Sequence, residues 1–216
     1  MTHRNVFITG GTGYIGRVLI PLLVQRGHEV RALVRPGSER KLPSGCEAVI
    51  GDALDGSTFA ERVRPSNTFV QLVGVPHPSP AKAAQFQSID LASVRASVPA
   101  AARAGVNHFV YVSVAQPAPV MKAYQAVRAE GEKTIRESGL NATILRPWYV
   151  LGPGHRWAYA LLPMYWLFER IPGTRDTARR LGLVTLDQMV GAIAKAVEGP
   201  GDGVRVFDVP SIKQSQ

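Results

Sequence analysis

The sequence predicts an α/β protein, a doubly wound parallel sheet with helices on both faces. Three observations lead there. Strand-like and helical patterns alternate along the 216 residues, the order that βαβ units with right-handed crossovers require. The strand-like runs are almost unbroken in apolar residues, as expected when both faces of a sheet are covered. The first run passes at once into glycines and then into an amphipathic segment, a strand–turn–helix unit.

Strands are expected at Val6–Thr9, Glu29–Val34, Ala48–Ile50, Thr68–Val73, His108–Ser113, Thr143–Leu145 and Val204–Val209, where β-branched and aromatic residues concentrate. Helical spacing fills the intervals at Tyr14–Gln25, Ser57–Val63, Ala81–Ala104, Ala123–Glu137 and Leu186–Val197. A chain of this length suits one core rather than two, so residues 1–216 are read as a single domain.

Hydrophobic residues make up 45% of the chain and charged residues 19%, ordinary values for a globular protein. Met1-Thr2-His3-Arg4 leads straight into the first strand without a signal-peptide pattern, and the single cysteine, Cys46, has no partner for an internal disulfide. Both features predict a cytoplasmic setting. The formal net charge is +9 and the pI about 10.1. Basic residues gather at Arg35–Lys41, at Arg62 and Arg64, and at Arg170–Arg180. No zinc-finger, RNP or basic-zipper pattern accompanies them, so nucleic acid is not expected as a partner. An anionic cofactor, an acidic membrane surface or general solubility explains the charge more simply. His77, His108 and His155 lack metal-ligand spacing, and no metal site is expected.

The glycines after the first strand stand at Gly10, Gly13 and Gly16. The first permits a tight turn, the second lets a pyrophosphate approach the backbone, and the third lets helix and strand pack closely. The helix N-terminus then offers free N–H groups and a positive dipole end. The pattern is that of a dinucleotide site, with Gly10, Thr12, Gly13, Tyr14 and Ile15 around the pyrophosphate. Ligands of such sheets sit outside the carboxyl ends of the strands, so the residues there carry the rest. Arg35 stands where an NAD-preferring site has an acid. Its guanidinium suits a 2′-phosphate, which favours NADP over NAD. Asp52, beside Ala53, is placed either to accept from an adenine amino group or to cap a turn. Val73, Gly74 and Val75 would bring the backbone close to the cofactor ribose, unless Gly74 simply ends its strand.

Taken together, Thr9-Gly10-Gly11-Thr12-Gly13-Tyr14-Ile15-Gly16, Gly51-Asp52, Phe109-Val110-Tyr111-Val112-Ser113, Tyr124 to Glu132 and Ile144 to Gly154 resemble the short-chain dehydrogenase/reductase superfamily in its extended and atypical branches. The resemblance spans residues 5–155 and implies a Rossmann-like fold with hydride transfer at nicotinamide. It implies Tyr124 as acid/base, Ser113 as the group that orients a substrate carbonyl, and Pro147 and Ala53 among the cofactor contacts. The family lysine, which makes a phenol serviceable near neutrality, is replaced by Arg128. Arginine keeps the charge and can reach a ribose but cannot relay a proton. Lys122 points to a different side of the helix. The implied function is NADP(H)-dependent oxidation or reduction of a small, fairly apolar carbonyl or alcohol. A cofactor-binding sensor or assembly partner without turnover is the alternative, and a nucleotide-sugar epimerase or dehydratase a weaker one.

Residues 147–186 are expected to form a small cap on the substrate side. Within them, Trp157 to Phe168 is apolar and aromatic but too short to span a bilayer, which takes about 20 residues. A lid or packing role ranks first and a homo-oligomer interface second. Peripheral membrane contact, aided by Arg170, Arg175, Arg179 and Arg180, ranks third.

Overall fold

The computed structural model describes residues 3–153, 171, 173 and 175–215. Nine strands are present among them: β1 (Asn5–Thr9), β2 (Glu29–Val34), β3 (Glu47–Ile50), β4 (Thr68–Gln71), β5 (His108–Val112), β6 (Ala142–Leu145), β7 (Tyr149–Leu151), β8 (Leu183–Thr185) and β9 (Val204–Phe207). Seven of them form one sheet in the order β3-β2-β1-β4-β5-β6-β9, and β7 and β8 form a separate pair. Every pairing in the large sheet is parallel. Strand order therefore reverses between β1 and β4, which opens a crevice at their carboxyl ends.

The period of two along each strand divides the core into two layers. Val6 and Ile8 face helices α1 (Gly16–Gln25) and α5 (Leu186–Glu198), where Leu19, Ile20, Leu23, Met189 and Ile193 are fully buried. Phe7 faces the other way, toward α2 (Ala92–Ala104) and α3 (Lys122–Glu137), into the layer that holds Val94, Val98 and Ile135. Phe7, Phe69 and Phe109 are register partners on adjacent strands, with ring centroids 5.2 and 5.1 Å apart. This aromatic ladder ties the strands on either side of the crevice. Helix α5 begins in a capping box, the Thr185 hydroxyl accepting from the Gln188 N–H and the Gln188 side chain from the Thr185 N–H.

The expected seven-stranded parallel sheet is observed, with local differences. Helix α1 starts at Gly16 rather than Tyr14, because Gly10 to Ile15 are taken up by the turn. The helix expected over Ser57–Val63 is instead two 3₁₀ turns, Gly56–Thr58 and Ala60–Arg62. Phe59 between them has an extended φ of −140°, and Asp55 caps the first turn through the Ser57 N–H. The helix expected over Ala81–Ala104 is continuous from Ala83 to Ala104 after a 3₁₀ turn at Pro80–Lys82, with one α-turn at Ala83–Gln85 and π-helical bonding over Phe86–Leu91 before α2. Strands β7 and β8 and the short helices α4 (Arg175–Arg180) and α6 (Val209–Lys213) were not expected. The segment from Trp157 to Phe168 lies outside the described residues, as do Arg170 and His155. Among the described residues no helix is long and apolar enough to cross a membrane.

At the opposite edge of the sheet, His108 is buried and bonded to the Thr143 hydroxyl at 2.9 Å. Burial first, and then Arg205 and Arg4, pull its pKa down to about 4 from an ordinary 6.5. The unfolded chain therefore takes up a proton here that the folded protein refuses. Stability falls as pH drops from 6.5 toward 4, and this residue accounts for about 3 kcal/mol of the loss. Urea unfolding of His108→Gln at pH 7 and pH 4 should show a pH-dependent loss smaller by about that amount. An identical loss in both proteins would contradict it.

Candidate functional site

The turn after β1 is built so that only glycine fits. Gly10 has a φ of +78°, and a Cβ there would lie 2.9 Å from the Leu72 carbonyl carbon. A Cβ on Gly16 would come within 2.6 Å of the Gly10 oxygen and the Gly11 Cα. The Gly13 N–H donates to the Gly10 carbonyl at 3.0 Å, and the Arg17 N–H to that of Gly13 at 3.1 Å. Helix α1 then starts with no side-chain cap at Ile15 and no acid in its first turn. The Arg17, Val18 and Leu19 N–H groups are bonded to the Gly13 and Ile15 carbonyls, so it is the Gly16 N–H and the positive dipole end that are left to an outside anion.

Beside this turn lies a cleft of about 390 Å³. Gly10, Thr12 and Gly13 line it from the turn, Arg35, Ser38 and Lys41 from the loop after β2, Asp52 and Ala53 from the loop after β3, and Val73 and Gly74 from the segment after β4. The structure thus brings together most of the cofactor residues expected from the sequence. Tyr14, Ile15, Val75 and Pro147 do not line this cleft. The Val75 N–H donates to Asp90 at 3.0 Å, and the Pro147 carbonyl accepts from the Ala115 N–H at 2.9 Å.

Two cations, Arg35 and Lys41, meet at the β2 end of the cleft, and neither has an ion-pair partner among the described residues. The one carboxylate of that loop, Glu39, accepts from the Gly37 N–H at 3.2 Å. Ser38 and Lys41 were missed as site residues, although the basic run from Arg35 to Lys41 already contained them. Asp52 is an Asx turn: its Oδ1 accepts from the Leu54 N–H at 2.9 Å. The turn-capping alternative is thus realised, while the residue also borders the cleft.

Behind Gly74 stands a buried ion pair. Arg128 of α3 donates through Nη2 to Asp90 Oδ1 at 2.5 Å and through Nη1 to the Val112 carbonyl at 2.9 Å and the Tyr111 hydroxyl at 3.3 Å. Its Nε is buried without a partner. Burial opposes the charge on Arg128, but Tyr124, Tyr111 and Asp90 outweigh it and hold the guanidinium pKa above its ordinary value. Burial in turn pushes the Asp90 carboxyl up, against the pull of Arg128 and the Val75 N–H. Asp90 lies in the π-helical segment, and Ser93 one turn later accepts from Gln71, which accepts from the Thr9 hydroxyl. Gly74 is a glycine for a local reason: a Cβ there would strike Arg128 Nη2.

Tyr124 lies one turn before Arg128 on α3. Its ring packs on Phe86, centroids 4.9 Å apart, with the Arg128 guanidinium carbon 5.0 Å from the ring centroid. Ser113 takes a different place from a free carbonyl partner. It is buried, and its hydroxyl donates to Glu132 Oε1 at 2.6 Å. Glu132 also accepts from Gln116 at 2.9 Å and, through both oxygens, from Arg146 at 2.9 and 2.5 Å. Glu132 and Asp90, like Ser38 and Lys41, are site residues that sequence reasoning missed. Glu132 had a signal: Tyr124, Arg128 and Glu132 follow at steps of four, on one helix face.

Fold and site define the class, a parallel doubly wound protein with a glycine-turn dinucleotide cleft. The NAD(P)H-binding family matches residues 10–159, and the chain belongs to that family, within the short-chain dehydrogenase/reductase superfamily. It is 28% identical over 194 residues to ceramide reductase of Caulobacter vibrioides (strain NA1000 / CB15N), covering 89% of this chain and 59% of that protein. It is 28% identical over 229 residues to 3-diazoavenalumate denitrifying reductase of a Streptomyces species, covering 92% and 74%. This chain therefore spans less than two thirds of the ceramide reductase. Among solved structures it is similar to the Bordetella bronchiseptica enzyme WbmH in complex with NAD+, with a TM-score of 0.71 and 20% identity over 96% of this chain and 76% of that one. It is likewise similar to DesIV, a dTDP-glucose 4,6-dehydratase from Streptomyces venezuelae, with a TM-score of 0.71 and 21% identity over 96% and 75%. At such identity the likeness to these structures is one of fold.

The residues present fit a dinucleotide. A Cβ at Gly10 or Gly16 would meet backbone, the α1 N-terminus is uncapped, and the Arg128 Nε has no acceptor among the described residues. Removing one member of a buried ion pair leaves the other charge uncompensated. Asp90→Asn is expected to lower stability by about 3 kcal/mol in urea unfolding. A change below about 0.5 kcal/mol would show that the pair contributes little.

Proposed function

We propose that this chain is an NADP(H)-dependent reductase acting on a small carbonyl compound. What favours this most is the packing of the Arg128 guanidinium on the Tyr124 ring, 5.0 Å from its centroid, directly behind Gly74 in the cleft wall. Gly10, Thr12 and Gly13 would hold the pyrophosphate, with Arg35, Ser38 and Lys41 around a 2′-phosphate. The preference for NADP rests on two unpaired cations in a loop whose carboxylate is turned to its own backbone.

The bound dinucleotide would supply the hydride at nicotinamide. Tyr124 would donate the proton to the substrate oxygen. The Arg128 guanidinium, packed 5.0 Å from the Tyr124 ring centroid, would hold that ring in place. Arginine does not give up a proton, so the phenol must be reprotonated from solvent rather than through residue 128. Ser113, tied to Glu132, would act on the substrate only as an acceptor or through that carboxylate.

A second reading, cofactor binding without turnover, is favoured by the same two contacts, since Ser113 and Arg128 are both committed to internal partners. Fluorescence titration with NADPH and NADH is expected to show tighter NADPH binding, and Arg35→Ala to weaken it about tenfold while sparing NADH. Equal loss for both cofactors would remove the 2′-phosphate assignment. In a screen of carbonyl compounds, Tyr124→Phe should abolish turnover with NADPH affinity intact. Retained turnover in that variant would refute the acid role, and a silent wild type that binds NADPH would favour the second reading.

A further inference from the structure

A second cavity, of about 520 Å³, opens where β5, β6 and β9 end. It lies at the same carboxyl edge of the sheet as the dinucleotide cleft, the edge where ligands of this architecture bind, and its size is that of a small-molecule pocket. Its lining mixes apolar Ala115, Val206 and Pro210 with a group of charged side chains. Gln116 follows β5, Arg146 follows β6, Asp208 follows β9, and helix α4 brings Asp176, Arg179 and Arg180 from the far side.

The arginines are held in different ways. Arg146 is gripped from behind: its Nε and Nη2 are bonded to the two oxygens of Glu132, whose side chain is 4% exposed, while that of Arg146 is 27% exposed. Its Nη1 has no partner among the described residues and belongs to the outward edge. Arg180 donates through Nε to the Pro117 carbonyl at 3.1 Å and through Nη2 to Thr177 at 3.4 Å. Arg179 has no ion-pair partner among the described residues. The carboxylates count against an anion, and they differ as well. Asp208 Oδ1 already accepts from the Ser211 N–H at 3.0 Å and its hydroxyl at 2.6 Å, as the cap of α6. Asp176 is exposed in the first turn of α4. With Glu132 behind Arg146, three guanidinium groups stand with three carboxylates, of which Asp208 is spent on a helix end, and Arg179 and Arg180 are the arginines with no ion-pair partner among the described residues.

We propose that this cavity, walled by Arg146, Arg179 and Arg180, binds a carboxylate or phosphate group of the substrate, which makes the substrate an anionic carbonyl compound rather than an apolar one. The inference rests on the reductase reading for the word substrate, but the anion site itself does not. Planar, prepositioned guanidinium groups are the side chains best matched to paired anionic oxygens. Glu132 serves both ends of the arrangement: it fixes Arg146 at this cavity and accepts from Ser113 at the end of β5.

The test is calorimetric titration of the protein with acetate and with inorganic phosphate at constant ionic strength, with and without saturating NADPH. Saturable binding of at least one anion is expected in the presence of NADPH, and the tighter anion identifies the group. Arg179→Gln combined with Arg180→Gln should weaken it about tenfold, the loss of one charge-assisted contact, with NADPH affinity unchanged. Absence of saturable binding, or equal binding by the double variant, would overturn the proposal. Phosphate binding that disappears in Arg35→Ala but survives in the double variant would place the anion in the dinucleotide cleft and overturn it too. Failure of NADPH to bind, with the arginine-dependent anion site intact, would remove the reductase reading and leave the anion site standing.

Discussion

The buried pair of Asp90 and Arg128 is the contact on which the centre of this protein depends. A charge taken out of water is tolerated only with a partner and a full set of hydrogen bonds. Here each partner recruits backbone from elsewhere: Asp90 takes the Val75 N–H, and Arg128 takes the Val112 carbonyl. Two strand ends, the π-helical segment and α3 are thereby fastened around one point. The same point backs the cleft wall at Gly74 and supports the Tyr124 ring. Such a pair adds little net stability compared with an apolar substitute, but it tolerates few alternative arrangements of the elements it joins.

Helix α3 organises the carboxyl edge of the sheet. Tyr124, Arg128 and Glu132 recur every four residues, so three functional-looking groups share one face over about 12 Å of helix. Arg128 stands behind Gly74 in the wall of the cleft, and Glu132 holds Arg146 at the second cavity. Gly131, between them in the chain, allows the helix to approach the sheet closely, since a Cβ there would come within 2.8 Å of the Tyr111 hydroxyl.

Much of this was legible in the residues. The glycine turn, the six core strands from β1 to β6 and the long helices follow from periodicity and from glycine spacing, and Arg35, Asp52 and Gly74 follow from their places after strands. Asp90 was not legible, because it sits inside a run with good helical spacing. Only the wider π-helical turn aims its carboxylate at Val75 and Arg128. Strands β7 and β8 are three residues each and too short to display a period. Ser113 was found by its position but not by its partner, since a hydrogen bond to Glu132 19 residues away leaves no local mark.

Gly74 and Arg128 share one small volume. The guanidinium head occupies the space in which a side chain at residue 74 would begin, so residue 74 cannot gain a side chain while the guanidinium stays in place. A lysine at 128, with its slimmer ammonium group, would vacate part of that space and lift the restriction on residue 74. It would also give up the planar fork that reaches Asp90 and Val112 together. The contingency therefore runs one way: a side chain at residue 74 has to wait for a smaller residue 128, whereas residue 128 can shrink beside Gly74 unchanged.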